Sequence, residues 1–148
     1  MNEANKLFDI RPANASDSKE LAELATQLGY PCSDAVVFER LRAFPGNKEQ
    51  ALLVAAVNQK AVAWIYLEVI DRFYIDQYVE ITGFVVHEKY RNMGCGKLLI
   101  SYAEKWAIEK GIKTIRLKSN VIRKEAHDFY IRNGYIKNKD QYAFMKQI

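Results

Sequence analysis

Two cysteines are all that 148 residues offer to a disulfide, and with only two histidines beside them a structural zinc site has little to be built from. Cys32 and Cys95 could close at most one bridge, and a chain of this length buries enough surface in one core to do without it, so reduced thiols are expected. His87 and His127 stand in no Cys/His cluster of metal-ligand spacing, and no metal is expected. Long apolar runs are missing as well. Ala51 to Val57 and Ala61 to Leu67 fall far below the roughly 20 residues that a membrane-spanning helix needs. The first ten residues carry Glu3, Asn5, Lys6 and Asp9 where a secretory signal would be apolar, so the expected location is cytoplasmic. No segment is dominated by Pro, Gly and Ser or by charge of one sign, which excludes disordered and collagen-like chains. The net charge of +4 suits an anionic ligand, but it is too small and dispersed for nucleic acid, which prefers a clustered basic stripe.

What is present reads as one domain over residues 1–148, with 49% hydrophobic residues and no internal repeat. Leu7 to Arg11 alternates as a first strand. Asp17 with Glu20 has capping-box spacing and opens a helix that stops at Gly29. Ser33 caps a second helix through Phe44, closed by Pro45-Gly46-Asn47. Leu52 to Val57 and Ala61 to Val69 form a hairpin around Asn58-Gln59-Lys60, and Tyr78 to Val86 is a further strand. Gly94 to Lys110 is an amphipathic helix ended by Gly111, followed by a short strand, Thr114 to Lys118. Lys124 to Asn133 is a helix with Gly134 at its C-terminal cap, and Tyr135 to Ile136 and Ala143 to Lys146 complete the set as strands. This order gives an α+β or mixed α/β layer built on one sheet.

The chemistry concentrates at Phe84-Val85-Val86, then His87 to Tyr90, then Arg91-Asn92-Met93-Gly94-Cys95-Gly96-Lys97. A strand runs into a basic, glycine-bearing turn that becomes the first turn of a helix. Glycine lets backbone approach an anion, the free N–H groups of a helix start point at it, and the helix dipole favours negative charge there. A bare Gly-x-Gly would equally serve a tight strand-to-helix turn. A P-loop is excluded because Arg91 stands where its first glycine belongs, and a Rossmann fingerprint is excluded by Leu99.

Arg91-x-x-Gly94-x-Gly96 after Phe84-Val85-Val86 resembles the pyrophosphate-binding motif of the GNAT N-acetyltransferases, Gln/Arg-x-x-Gly-x-Gly/Ala. Downstream, Ala126, Tyr130 and Gly134-Tyr135 recur at the spacing of that family's strand-helix-strand segment. The resemblance covers essentially the whole chain, with specific motifs from about Glu80 to Tyr135. It implies the acyl-CoA acyltransferase fold: a mixed sheet of six to seven strands with helices on both faces and splayed central strands. The implied co-substrate is acetyl-CoA. Its pyrophosphate would meet Arg91, Asn92, Met93, Gly94, Cys95, Gly96 and Lys97, and its pantetheine arm would pair with backbone of Phe84, Val85 and Val86 as an added strand. Ala126 and Phe129 would wall the thioester. Many family members carry Asn where this chain has Arg123; Asn120 lies three residues earlier and is the substitute considered.

Acyl transfer to an amine requires a deprotonated nucleophile, stabilisation of a developing oxyanion and a proton for the departing thiolate. The resemblance implies that Tyr130 is the acid; by spacing alone it would be a core aromatic beside Ala126. Glu80 is the matching base, direct or through water, with a solvent carboxylate paired to lysine as its alternative. Strand alternation puts Tyr78, Glu80, Thr82 and Phe84 on one face. Cys95 reads as a small residue packed under the turn. Aromatics Tyr30, Phe73, Tyr74 and Tyr78 with acids Glu68, Asp71, Asp76 and Glu80 suit a cationic acceptor. The expected function is acetyl transfer to a primary amine of a small molecule in a ternary complex. The competing reading is a GNAT-fold acetyl-CoA-binding protein with a regulatory, protein-lysine or N-terminal acetylation role. No nucleic acid or membrane partner is expected, and a homodimer is compatible with either reading.

Overall fold

The computed structural model describes residues 3–44 and 46–148. Pro45, expected to close the second helix, lies outside the described residues, as do Met1 and Asn2 of the N-terminal stretch. The chain forms two compact units, Met1–Lys118 and Ser119–Ile148.

In the first unit a short helix, α1 (Glu3–Leu7), precedes strand β1 (Asp9–Pro12). Leu7 therefore belongs to a helix, and the first strand begins two residues later than its alternation predicts. A single 3-10 turn, Ala15–Asp17, leads to α2 (Ser18–Leu28), and α3 (Asp34–Arg42) follows. The capping box is built one turn earlier than the Asp17/Glu20 spacing suggests. Asn14 accepts from the Ser16 N–H at 3.0 Å, and Asp17 accepts from the Asn14 N–H at 2.9 Å. The Asp17 carboxylate is also gripped by both terminal nitrogens of Arg11 at 2.7 and 2.8 Å, so no Asp17 bond caps α2. Gly29 ends α2 at φ +105°, a left-handed cap that favours glycine. Ser33 caps α3 by accepting from the Val36 N–H at 3.2 Å, as predicted.

Strands β2 (Gln50–Val57), β3 (Lys60–Arg72), β4 (Ile75–Val86) and β5 (Ile115–Leu117) complete a sheet ordered β1-β2-β3-β4-β5. All pairs are antiparallel except β4 with β5. The sheet thus has five described strands, where six to seven were expected. Asn58 and Gln59, both at positive φ, make the two-residue turn between β2 and β3. Between β4 and β5 run α4 (Cys95–Glu109) and the connection through Gly111.

One sheet face carries Leu52, Val54, Trp64 and Tyr66 and is covered by α2 and α3 through Leu21, Val37 and Leu41. The opposite face presents Ile65, Leu67 and Val79, each fully buried, while α4 contributes the buried Leu99, Ile100 and Ala103. Burying a side chain of that size stabilises by about 1.5–3 kcal/mol.

The register between β3 and β4 shifts between Tyr66↔Gly83 and Leu67↔Ile81, so Thr82 is an extra residue on β4. Such a bulge bends a strand and increases its twist. The parallel ladder from β4 to β5 ends at this point, with Ile81↔Leu117, whereas β3 holds β4 as far as Val86.

The second unit has one regular element, α5 (Lys124–Arg132), followed by Gly134 at φ +88°. The predicted strands Tyr135 to Ile136 and Ala143 to Lys146 are not formed; the chain there has no ladder and is mostly exposed. Their residues favour extended backbone, but a strand exists only where a partner supplies its hydrogen bonds.

Candidate active site

At the end of β4, Arg91 to Gly94 form the turn into α4. Asn92 (φ +62°) and Gly94 (φ +83°) adopt left-handed backbone, and Gly94 serves as the N-cap of α4 without any side-chain capping bond. The first intrahelical bond runs from the Leu98 N–H to the Gly94 carbonyl at 3.0 Å. The N–H groups of the first turn therefore receive no cap from a side chain, the arrangement that accepts an anion. Arg91 donates from Nε to the Val86 carbonyl at 3.1 Å, which pins its guanidinium between strand end and helix start. Lys97 is exposed on the first turn. Left-handed backbone at Gly94, N–H groups without a side-chain cap and a tethered guanidinium thus occur together, a donor set of the chemistry that suits a pyrophosphate.

The preceding loop is fixed to α2. The Glu88 N–H donates to Gln27 at 3.2 Å, and His87 lies 3.6 Å from Glu23 while its Nδ1 accepts from the Lys89 N–H at 3.1 Å. His87 thus organises the loop. Cys95, 1% exposed, packs beneath the turn, and burial pushes its thiol up to about 12, so it cannot supply a thiolate at neutral pH.

Phe84, Val85 and Val86 form the C-terminal end of β4, beyond the bulge. Cross-strand partners share a face. Glu80 stands opposite Glu68 on the face of Tyr66 and Trp64, whereas Phe84 stands opposite Ile65 on the other face. The expectation that Tyr78, Glu80, Thr82 and Phe84 share one face is therefore corrected: the extra residue at Thr82 reverses the alternation between Glu80 and Phe84. Gly83 and Val85 are the residues beyond the bulge that share the Glu80 face.

Glu80 is mostly buried, its side chain 18% exposed, with Lys118 Nζ 3.9 Å away. On the neighbouring strand Arg116, opposite Glu80, lies over the Tyr78 ring at 4.5 Å. Tyr78 is consequently buried, and of the other predicted acceptor aromatics, Phe73 and Tyr74 form the exposed tip of the β3–β4 hairpin and Tyr30 is largely exposed.

A concave feature of this face lies away from Glu80. A cleft of about 380 Å³ opens between α2, α3 and the strands β3 and β4, walled by Val37, Leu41, Phe44, Trp64 and Tyr66, with Arg40 at its rim and Thr82 and Gly83 in its floor. Gly83 is needed there because the Trp64 ring fills the space of a side chain. Burial, helped by the Glu68 carboxylate, pushes the Tyr66 hydroxyl above its ordinary value. Sequence reasoning missed Arg40, Phe44, Trp64 and Tyr66. The alternation Trp64, Tyr66, Glu68 along β3 was the available signal.

In the second unit, Asn120, Ala126, Phe129 and Tyr130 fall within one loop and one helix. Asn120 accepts from the Ile122 N–H at 3.1 Å through its side chain and from His127 Nε2 at 2.9 Å through its carbonyl, so it shapes the entry to α5. Arg123 is exposed at the helix N-cap. Tyr130 is stacked edge-on between Phe129 (5.4 Å) and Tyr135 (6.0 Å). Burial pushes its phenol above the ordinary value against the opposing pull of Arg123. It is therefore protonated throughout the neutral range.

Among the described residues no helix is long and apolar enough to cross a membrane, and no group of His, Cys, Asp and Glu could hold a metal ion. A family model described as "Acetyltransferase (GNAT) family" matches residues 19–135. An aminoalkylphosphonate N-acetyltransferase of Salmonella typhimurium is 33% identical over 69 residues, 47% of this chain and 44% of that protein. The chain spans about half the length of the curated relatives it matches. Among solved structures, a GNAT family acetyltransferase of Staphylococcus aureus is 26% identical with a TM-score of 0.75, covering 96% of this chain and 99% of that one. An aminoglycoside N-acetyltransferase in complex with CoA is similar in fold, at 17% identity and a TM-score of 0.81 over 95% of each chain.

Proposed function

The chain belongs to the GNAT acetyltransferase family, and we propose that it transfers the acetyl group of acetyl-CoA to the primary amine of a small molecule by direct attack in a ternary complex. The observation that carries this reading is the turn from Arg91 to Gly96, where an uncapped helix start, left-handed backbone at Asn92 and Gly94 and the tethered Arg91 guanidinium converge. Support for a small acceptor comes from relatives named for aminoalkylphosphonate and aminoglycoside substrates.

Acetyl-CoA would supply an activated acyl group on a thiol leaving group. Met93 to Lys97 would hold its pyrophosphate through backbone N–H groups, with Arg91 neutralising charge. Backbone of Phe84, Val85 and Val86 would align its pantetheine arm, with Ala126 and Phe129 enclosing the thioester and Asn120 shaping the loop before them. Glu80, on the acceptor face of β4, would take the proton from the amine directly or through water. Tyr130 would give its proton to the departing thiolate; its raised pKa keeps the proton available, and a CoA thiolate is basic enough to accept it.

The test is release of free thiol from acetyl-CoA in the presence of a panel of small amines and a lysine-containing peptide. Release with small amines and none with the peptide is expected. Release with the peptide alone would replace the small-molecule reading, and saturable CoA binding without release on any amine would replace the catalytic one.

A further inference from the structure

The cleft on the Glu80 face has a composition that narrows the acceptor, and the inference rests on the acetyl-transfer reading above. Its walls are aliphatic and aromatic: Phe44, Trp64 and Tyr66 with residues of α2 and α3. Among the described lining residues the one charged side chain is Arg40, and no described carboxylate lies in the lining. On its own helix the neighbouring acid, Glu39, faces Arg42 at 3.8 Å, and no described carboxylate pairs with Arg40. Arg40 follows Val37 by three residues on α3, so the two lie on the helix stripe that faces the cleft. The acids lie outside the cleft lining: Glu68 follows Tyr66 by two residues on β3, Glu80 is its direct cross-strand partner, and the bulge at Thr82 separates this pair from Tyr66 and Gly83.

The face thus separates its carboxylates from the cleft. Glu68 and Glu80 share one register, with the exposed Lys118 Nζ 3.9 Å from Glu80 and Arg116 beside it on β5, apolar and aromatic surface spans Trp64, Tyr66 and Gly83, and the Arg40 guanidinium lies in the cleft lining. A polycation would need carboxylates distributed along its length, and burying its further ammonium groups against apolar walls without partners is costly. A molecule with one amine, an apolar body and one anionic group meets complementary chemistry throughout: amine to Glu80, body to the aromatics, anion to the planar fork of Arg40, which suits carboxylate and phosphonate oxygens.

We infer that the acceptor is an amphipathic amino acid, in the broad sense of a primary amine with an apolar or aromatic skeleton and a single carboxylate or phosphonate bound by Arg40. About 380 Å³ accommodates a skeleton of one aromatic ring with its substituents, within the ordinary range of small-molecule pockets.

The experiment compares phenylalanine, its phosphonate analogue, 2-phenylethylamine and spermidine as acceptors in the thiol-release assay, with calorimetric titration of phenylalanine in parallel. Expected is a kcat/KM for the anion-bearing amines roughly 10- to 100-fold above that for 2-phenylethylamine, as a charge-assisted bond supplies. Spermidine should be the poorest acceptor. Arg40→Gln should bring the ratio of phenylalanine to 2-phenylethylamine towards unity, and Arg40→Lys should restore part of it. Preference for spermidine, or a ratio that Arg40→Gln leaves unchanged, overturns the inference. If no amine releases thiol, the acetyl-transfer reading falls by itself. The calorimetry then decides the cleft: phenylalanine binding that is weakened tenfold or more by Arg40→Gln upholds the assignment, and absence of binding overturns it.

Discussion

The indole of Trp64 occupies the space that a side chain at Gly83 would need: a Cβ built on Gly83 would lie 2.5 Å from Cζ3 and 2.8 Å from Cη2 of that ring. Gly83 follows the bulge residue Thr82, and both line the cleft. Gly83→Ala must therefore displace a large rigid ring that forms the cleft wall. Overpacking of this kind costs about 1–3 kcal/mol of stability. The variant is expected to melt earlier and to show a raised KM for the amine, with CoA affinity retained. In combination with Trp64→Phe, which relieves the crowding, the two losses should sum to more than the measured loss of the double variant. Strict additivity would contradict the contact.

The pair of Arg11 with Asp17 ties β1 to the start of α2, with the Asp17 side chain 5% exposed. Burial alone would raise the Asp17 carboxyl, but the Arg11 guanidinium and the Asn14 N–H together hold it below its ordinary value. A carboxyl depressed in the folded state contributes its stability fully above the unfolded pKa of about 3.9 and loses it as pH falls through the folded pKa. Asp17→Asn is expected to lower stability at pH 7 by about 2–3 kcal/mol and to flatten the acid limb of the stability profile below pH ~4. Chemical denaturation at a series of pH values measures both, and an acid limb as steep as in the parent chain would contradict the assignment.

Tyr130→Phe removes the proposed acid while keeping the ring that stacks on Phe129 and Tyr135. Turnover should fall by roughly 10²-fold or more, the usual worth of a positioned acid, with little change in CoA affinity. Because burial raises the phenol pKa, kcat of the parent chain should show no loss attributable to this group until pH exceeds ~10. Unchanged turnover in the variant would remove Tyr130 from the mechanism.

Gly94 sits at φ +83°, and a Cβ there would come 3.0 Å from that of Ala4. A side chain costs roughly 1–2 kcal/mol in left-handed backbone. Gly94→Val is expected to weaken CoA binding at least tenfold in calorimetry, because the strain falls on the turn proposed to hold the pyrophosphate. Full CoA affinity in this variant would separate the turn from the cofactor.

Cys95, with its thiol at about 12, should resist alkylation at pH 8, while the half-buried Cys32 reacts. Peptide mapping after iodoacetamide treatment reads this directly. Cys95→Ala should retain acetyl transfer, since the thiol takes no part in it.

Local signals made part of this structure legible. Ser33 caps its helix by the bond its position predicts, Gly29 and Gly134 end theirs in left-handed backbone, and the Arg91-x-x-Gly94-x-Gly96 turn sits between strand and helix. Each is decided within a few residues of chain. The failures are non-local. The bulge at Thr82 depends on register with β3 and leaves no mark on an alternating pattern, so Glu80 and Phe84 were expected on one face. Trp64 and Tyr66 alternate on β3, but which face α2 and α3 would cover follows only from packing. Tyr135 to Ile136 and Ala143 to Lys146 have strand-like composition and no ladder, because β-propensity is settled by partners.

Acetyl transfer itself is tested most directly by counting. CoA thiol and N-acetylated amine are measured in the same reaction, the second by mass spectrometry, with phenylalanine and 2-phenylethylamine as acceptors. One acetylated amine is expected for each thiol released, with both falling together in Tyr130→Phe. Tight CoA binding with thiol release no faster than hydrolysis, and no acetylated amine, would contradict acetyl transfer.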